Sequence, residues 1–331
     1  ITGFQGTDTE ADLDTAVSIS RAAGEDVGTY TITPSAAADS NYTISFVTAD
    51  FTITQAALTV TASDQTKVYG TTDPTLTYSI TGFQGTDTEA DLDTAVSISR
   101  AEGEDVGTYT ITPSAAAASN YTVSFVTADF TITQAALTVT ASDQTKVYGT
   151  TDPALTYTIT GFINGDTEAD LDTAVSISRA EGEDVDTYTI TPSAAAASNY
   201  TVSFVTADFT ITQAALTVTA SDQTKVYGAT DPALTYTITG FQGTDTEADL
   251  VSAVSISRAA GEDVGTYTIT PSAAAASNYT VSFVTADFTI TQAALTVTAS
   301  DQTKVYGATD PVLTYTITGF INGDTEADLD T

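Results

Sequence analysis

The sequence predicts an all-β protein, a linear tandem array of small β-sandwich domains. Three observations carry that prediction: a fixed 79-residue period, strict two-residue alternation within each period, and junctions that contain no flexible residue. The string ITGF recurs with its isoleucine at Ile1, Ile80, Ile159, Ile238 and Ile317, without insertion or deletion. Such a period marks a repeated structural unit and overrides a domain count based on length alone. It divides the 331 residues into a partial repeat (1–55, C-terminal part), complete repeats at 56–134, 135–213 and 214–292, and a partial repeat at 293–331 (N-terminal part). The chain opens and closes inside a period, so a longer parent protein is expected, with its targeting or anchoring segments elsewhere.

Within the copy Ala56–Gln134, Leu58, Val60 and Ala62 alternate with Thr59, Thr61 and Ser63, and Leu76, Tyr78 and Ile80 with Thr77, Ser79 and Thr81. Val96 and Ile98 flank Ser97, and Tyr109 and Ile111 lie among Thr108, Thr110 and Thr112. Tyr121, Val123 and Phe125 alternate with Thr122 and Ser124; Phe130 and Ile132 alternate with Thr131 and Thr133. A period of two in β-branched and aromatic residues is the pattern of strands with one buried face. Gly70 with Asp73-Pro74, Gly82, Gly85, Gly103 and the stretch from Pro113 to Asn120 supply the breaks. The expectation is six or seven short strands per copy, with threonine facing outward.

Two segments depart from the strand pattern. Thr86 to Leu92 has the capping chemistry of one helical turn, a threonine three residues before an acid. A genuine helix there would favour β-grasp-like domains with one short helix over the Ig-like sandwich. Ala115 to Ala118 follows a proline and is too short to nucleate a helix, so it reads as loop. At the join, Phe130 to Thr140 contains neither glycine nor proline and stays strand-like. The last strand of one copy is therefore expected to run almost directly into the first strand of the next, favouring a stiff rod that advances roughly 35–45 Å per copy.

Composition removes most chemistry. There are 43 acids against 8 bases, a net charge of −35, and no cysteine, histidine, methionine or tryptophan. Disulfides, thiolate metal sites and thiol nucleophiles are excluded, and so is the usual general base. The charge repels phosphate backbones and argues against nucleic-acid partners, and no run approaches the length of a membrane helix. The three complete copies carry −8, −9 and −6, the first from ten acids against Lys67 and Arg100. Self-repulsion of that size keeps an array extended at low salt.

Copies compared with one another show what is dispensable. Six positions change between Ala56–Gln134 and Ala135–Gln213, among them Thr75 to Ala154, Ser79 to Thr158 and Gly107 to Asp186. Asp93 corresponds to Val251, Glu102 to Ala260 and Asp39 to Ala118, so those carboxylates are not essential to every copy. The Gly107-to-Asp186 change is read as compatible with a left-handed backbone in the turn before Thr-Tyr.

The stretch from Lys67 to Phe83, KVYGTTDPTLTYSITGF, is followed by Val106-Gly-Thr-Tyr-Thr-Ile111, Asn120-Tyr-Thr and Phe130-Thr-Ile-Thr-Gln-Ala-Ala-Leu-Thr-Val. In that order these motifs resemble the bacterial MBG domain family of the YGX type, and the resemblance covers every complete copy. It implies tandem repeats of large secreted surface proteins and adhesins, a bacterial cell-surface location, and no catalytic residue to carry across.

The sharpest site candidate is a divalent cation, calcium or magnesium; no other cofactor is expected. Asp87, Glu89, Asp91 and Asp93 are spaced like alternating oxygen ligands, although Leu92 and Ile98 stand where an EF-hand needs glycine and glutamate. A solvated acidic loop is the competing reading. Glu102, Glu104 and Asp105 form a second acidic turn. One lysine per set of strands (Lys67, Lys146, Lys225, Lys304) and one asparagine per copy raise an internal Lys–Asn or Lys–Asp amide crosslink. Against that, Lys67 reads as an exposed charge or an acid's partner. Asn41, Asn120, Asn199 and Asn278 each begin Asn-Tyr-Thr and fit the N-glycosylation sequon, but read more simply as turn residues entering a strand. Tyr69 and Tyr109 read as core or corner tyrosines. Paired carboxylates suit glycosidases, yet small identical β units offer no evident cleft, so no enzyme activity is expected.

The leading functional expectation is a structural repeat array forming a stiff stalk or filament body of a bacterial surface protein. Its partners would be neighbouring repeats or other copies of itself. The alternatives are a multivalent adhesive module for a glycan or surface, and a fibre that self-assembles through exposed strand edges.

Overall fold

A computed structural model describes residues Ile1–Leu329. The chain forms two compact units. One comprises Ile1–Thr138, Thr160–Ala174 and Ala195–Ser203; the other comprises Val139–Ile159, Val175–Ala194 and the chain from Phe204 onward.

The first unit contains the complete copy from Ala56. Its seven strands are β1 (Ala56–Ala62), β2 (Gln65–Val68), β3 (Tyr78–Thr81), β4 (Ser97–Arg100), β5 (Gly107–Ser114), β6 (Tyr121–Val126) and β7 (Ala128–Thr133). They form two sheets, ordered β3-β1-β6 and β2-β7-β5-β4. β1 and β2 are one extended run broken at Ser63-Asp64, and β6 and β7 another broken at Thr127, so each run contributes to both sheets. The first and last runs lie parallel: Val60 opposes Phe125 in one sheet and Lys67 opposes Ile132 in the other. The remaining pairings are antiparallel, including Val60 with Ile80, Phe130 with Tyr109, and Ser99 with Thr112.

Alternation places Leu58, Val60, Ile111, Phe130 and Ile132 inward, each at most 1% exposed. Burying a side chain of this size contributes about 1.5–3 kcal/mol. Thr108, Thr110 and Thr112 alternate outward along β5. The chain is thus all-β, an array of small two-sheet domains, as the sequence predicts. The helical alternative reduces to a single 3₁₀ turn at Glu89–Asp91. Asp91 Oδ2 accepts from the Thr88 amide at 2.8 Å and from its hydroxyl at 3.0 Å, the expected capping chemistry.

Two local expectations need correction. Gly107 does not occupy the left-handed region; it opens β5 opposite Ile132, so the aspartate in its place at Asp186 meets no strained backbone. The positive φ falls instead on Ala115, at 64°, where the chain leaves β5 and turns toward the bridge between Thr94 and Ala117. Gly103 does need its freedom. With φ at +138°, its Cα faces the Tyr109 ring, and a Cβ there would lie 2.2 Å from a ring carbon.

In the same unit, the partial copy before Ala56 keeps Ser18–Arg21, Gly28–Ser35 and Ala49–Ile53 as a three-stranded sheet. The second unit repeats the architecture in Ala214–Gln292. Ala214–Ala220 runs parallel to Tyr279–Val284, and Gln223–Val226 parallel to Phe288–Thr291. One core there gathers Ala220, Ile269, Phe288 and Ile290; another gathers Ala214, Leu216 and Tyr279.

Candidate functional site: the junction between copies

One residue, Gln134, separates β7 from the next strand, Ala135–Ala141. Its side-chain amide donates to the Ser198 carbonyl at 3.1 Å and accepts from the Thr201 hydroxyl at 2.9 Å, while the Ala135 amide donates to the Asn199 carbonyl at 3.1 Å. The connector is held by the copy it leads into. Gln55 makes the same contacts with Ser119 and Thr122.

Two further contacts join neighbouring copies in the first unit. The Asn199 side chain accepts from the Val106 amide at 2.8 Å and donates to Asp105 Oδ1 at 2.9 Å. Asp105 is itself fixed, because its carbonyl accepts the Tyr109 hydroxyl at 2.9 Å in a tyrosine corner. Tyr69, just past β2, is buried edge-on against Tyr200 with ring centroids 5.5 Å apart. Both hydroxyls donate to Asp166 Oδ2, at 3.0 Å from Tyr69 and 2.6 Å from Tyr200. Burial and then the Asp166 carboxylate push the Tyr200 hydroxyl up to about 12. Beside them Gly70, at φ +76°, faces Ile163; a Cβ there would come within 2.3 Å of its Cδ1.

The second unit reproduces this set. Asn278 joins Val185 and Asp184, and Tyr148 and Tyr279 converge on Asp245. In the first unit, Asn120 also joins Val27 and Asp26. Asn120, Asn199 and Asn278 therefore each enter a strand, as expected, with Nδ2 already spent on the preceding copy, whereas Asn41 leads into a segment without regular structure.

Within each complete copy the charges form a quartet that the sequence did not reveal. Lys67 Nζ donates to Asp73 Oδ1 at 2.6 Å and to Glu104, and Arg100 bridges the same two acids, with its Nε 2.6 Å from Asp73 Oδ2. The Arg100 guanidinium lies 4.7 Å from the Phe130 ring centroid. The Lys67 side chain is 3% exposed, which corrects the reading of it as an exposed charge; its role as an acid's partner stands. Burial alone would lower the Lys67 pKa, but the bonds to Asp73 and Glu104 outweigh it and hold it above the ordinary lysine value. Arg100, then Lys67, holds Asp73 below the usual carboxylate range. In the copy from Ala214 the equivalent Asp231 falls to about 2, through Arg258 and then Lys225. Amide formation needs a neutral amine and a protonated acid, and the quartet favours the opposite charge states. Asn120 is engaged with Asp26 and Val27, not with Lys67.

The acids of the calcium expectation each meet a separate internal donor. Asp87 accepts from Tyr121 at 2.7 Å, Glu89 from Tyr78, Asp91 from Thr88, and Asp93 from the Ser119 amide and hydroxyl at 2.6 and 2.7 Å. Among the described residues no three acids converge as a metal-binding group.

The family description of the MBG domain (YGX type) matches residues 1–52, 58–131, 137–210, 216–289 and 295–331. The chain belongs to that family. Its MBG repeats are thus matched in tandem along nearly all of the sequence. No curated protein matches it. Among solved structures, the MBG array is similar to the N-terminal four Ig domains of Dscam1 isoform 7.44, at 12% identity and a TM-score of 0.21, covering 81% of this chain and 80% of that one. It is also similar to three N-terminal domains of the bacteriophage RB49 highly immunogenic outer capsid protein, at 12% identity and a TM-score of 0.19, covering 85% and 99%. Among the described residues no helix is long and apolar enough to cross a membrane.

Proposed function

We propose that this MBG array is a non-catalytic, load-bearing stalk of a secreted bacterial surface protein. The observation that carries the reading is the parallel pairing of first and last strands in both sheets of a copy: Ala56–Thr61 with Tyr121–Val126, and Gln65–Val68 with Phe130–Thr133. Tension enters a copy through β1 and leaves through β7. Because the paired runs are parallel, pulling the chain ends apart slides them past each other, loading the connecting hydrogen bonds together in shear. A hairpin pulled at its open end would lose them one by one. The pinned Gln134 passes the load onward without slack.

Single-molecule stretching tests this. Each complete copy should yield as one discrete event releasing roughly 24 nm, from about 3.6 Å per extended residue less the folded span. Forces should clearly exceed those that unzip an antiparallel hairpin. Smooth extension, or yielding at unzipping forces, would refute the stalk. Binding to a glycan or surface that strengthens with copy number would favour the adhesive reading instead.

A further inference from the structure

The chain has eight basic side chains, and every complete copy hides both of its own. Lys67, Lys146 and Lys225 are each 3% exposed, and Arg100, Arg179 and Arg258 are 10–11% exposed, all tied to two carboxylates. In the incomplete copies the same residues are more open: Arg21 at 30% with Glu25, and Lys304 at 47% with Asp310. The solvent-facing surface of a complete copy therefore offers carboxylates, hydroxyls and amides, and almost no cationic group.

We infer that the ion quartet makes each complete copy refractory to endoproteases that cleave after lysine or arginine. Such a protease must draw the whole basic side chain into a deep pocket to recognise it. Here Lys67 and Arg100 reach that pocket only if they leave Asp73 and Glu104 and the Phe130 ring, which requires the copy to open. Cleavage is then limited by the small population of opened copies. The backbone just beyond Arg100 does not distinguish the copies, since the Ala101 amide donates to the Thr110 carbonyl at 2.9 Å just as the Ala22 amide donates to Thr31 beyond the more open Arg21. The protection comes from withholding the side chain. This property is separate from the load-bearing reading and survives its failure.

The test is limited digestion of the full chain with trypsin under native conditions, followed by intact mass. Cuts are expected first after Lys304 and then after Arg21, leaving a persistent fragment from Ala22 to Lys304. Cleavage after the six quartet residues should be at least about a hundredfold slower than after Lys304, while the urea-unfolded chain should be cut at all eight. Glu102→Arg, at a position that is alanine in the copy carrying Ala260, places an unpaired base in the exposed turn beside Arg100. It should be cut there at close to the Lys304 rate, with Arg100 still spared. Cleavage after Arg100 or its equivalents at the Arg21 rate overturns the inference. So does a Glu102→Arg chain left uncut in that turn, because the backbone alone would then account for the resistance.

Discussion

Tyr42–Val47 and Tyr121–Val126 differ only in Ile44 against Val123, and both lie in the same compact unit. The second is strand β6, with Tyr121 buried; the first has no regular structure, and its Phe46 and Val47 are 45% and 82% exposed. The difference is the partner. Among the described residues β6 pairs with β1, supplied by its own copy from Ala56, whereas no strand is paired with Tyr42–Val47. Strand propensity alone does not order this segment; parallel closure by the first strand does. The neighbouring sheet is more robust, since Ala49–Ile53 keeps its antiparallel partner Gly28–Ser35.

The largest test of this contrast is Leu58→Ala. Leu58 is fully buried in β1, and its truncation should destabilise the copy by about 2–5 kcal/mol. Hydrogen exchange at Tyr121–Val126 should then accelerate toward the rate at Tyr42–Val47, with the latter unchanged. If β6 stays protected, closure by β1 is not what orders it.

Asn199→Ala comes next. It removes the bonds to Val106 and Asp105, and the coupling between those copies should weaken by about 1–3 kcal/mol. The two copies should then unfold less cooperatively in denaturant, while each retains its own core. An unaltered transition would show that the asparagine contributes nothing to coupling.

Acid should separate complete from incomplete copies more gently. Asp73, Asp152 and Asp231 have pKa values depressed by their arginine and lysine partners, so their contribution is present above the unfolded value of 3.8 and is lost as pH falls through the folded values, about 2 for Asp231. Complete copies should lose stability across that window. Among the described residues Arg21 and Lys304 each keep a single carboxylate partner, so exchange in the partial copies should change less. At the alkaline end Tyr200, raised to about 12, contributes stability that is present below 10 and disappears as pH climbs toward 12.

The smallest effect is expected at Ala115, where glycine should relieve the cost of a left-handed alanine and stabilise the copy by about 0.5–1 kcal/mol, measured as a shifted denaturant midpoint.

Six of the seven strands, the single capped turn and the near-direct connection were legible because each is written locally, in alternation, in Thr88 with Asp91, and in the absence of breakers around Gln134; the short strand Gln65–Val68 has no such alternation and was not. The junction was not, because Tyr69, Asp166 and Tyr200 are brought together by packing between copies that no local pattern encodes. The quartet left a faint signal. Lys67 shares the inward parity of Gln65 and Tyr69, while Val68 faces out, and Lys67, Asp73, Arg100 and Glu104 recur in each complete copy although Glu102 does not. Hydrophobicity read without parity points the other way. Ala115 was illegible because alanine carries no preference for its conformation.

The lone glutamine between copies also constrains how such a gene can change. A strand presents alternate residues to opposite sides, so adding or removing one amino acid at Gln134 would invert the inward and outward sets of whatever follows until a bulge absorbed it. Exchange between near-identical copies that respects the 79-residue phase leaves every seam as it was. Copy number is free to drift in whole steps, and phase is not.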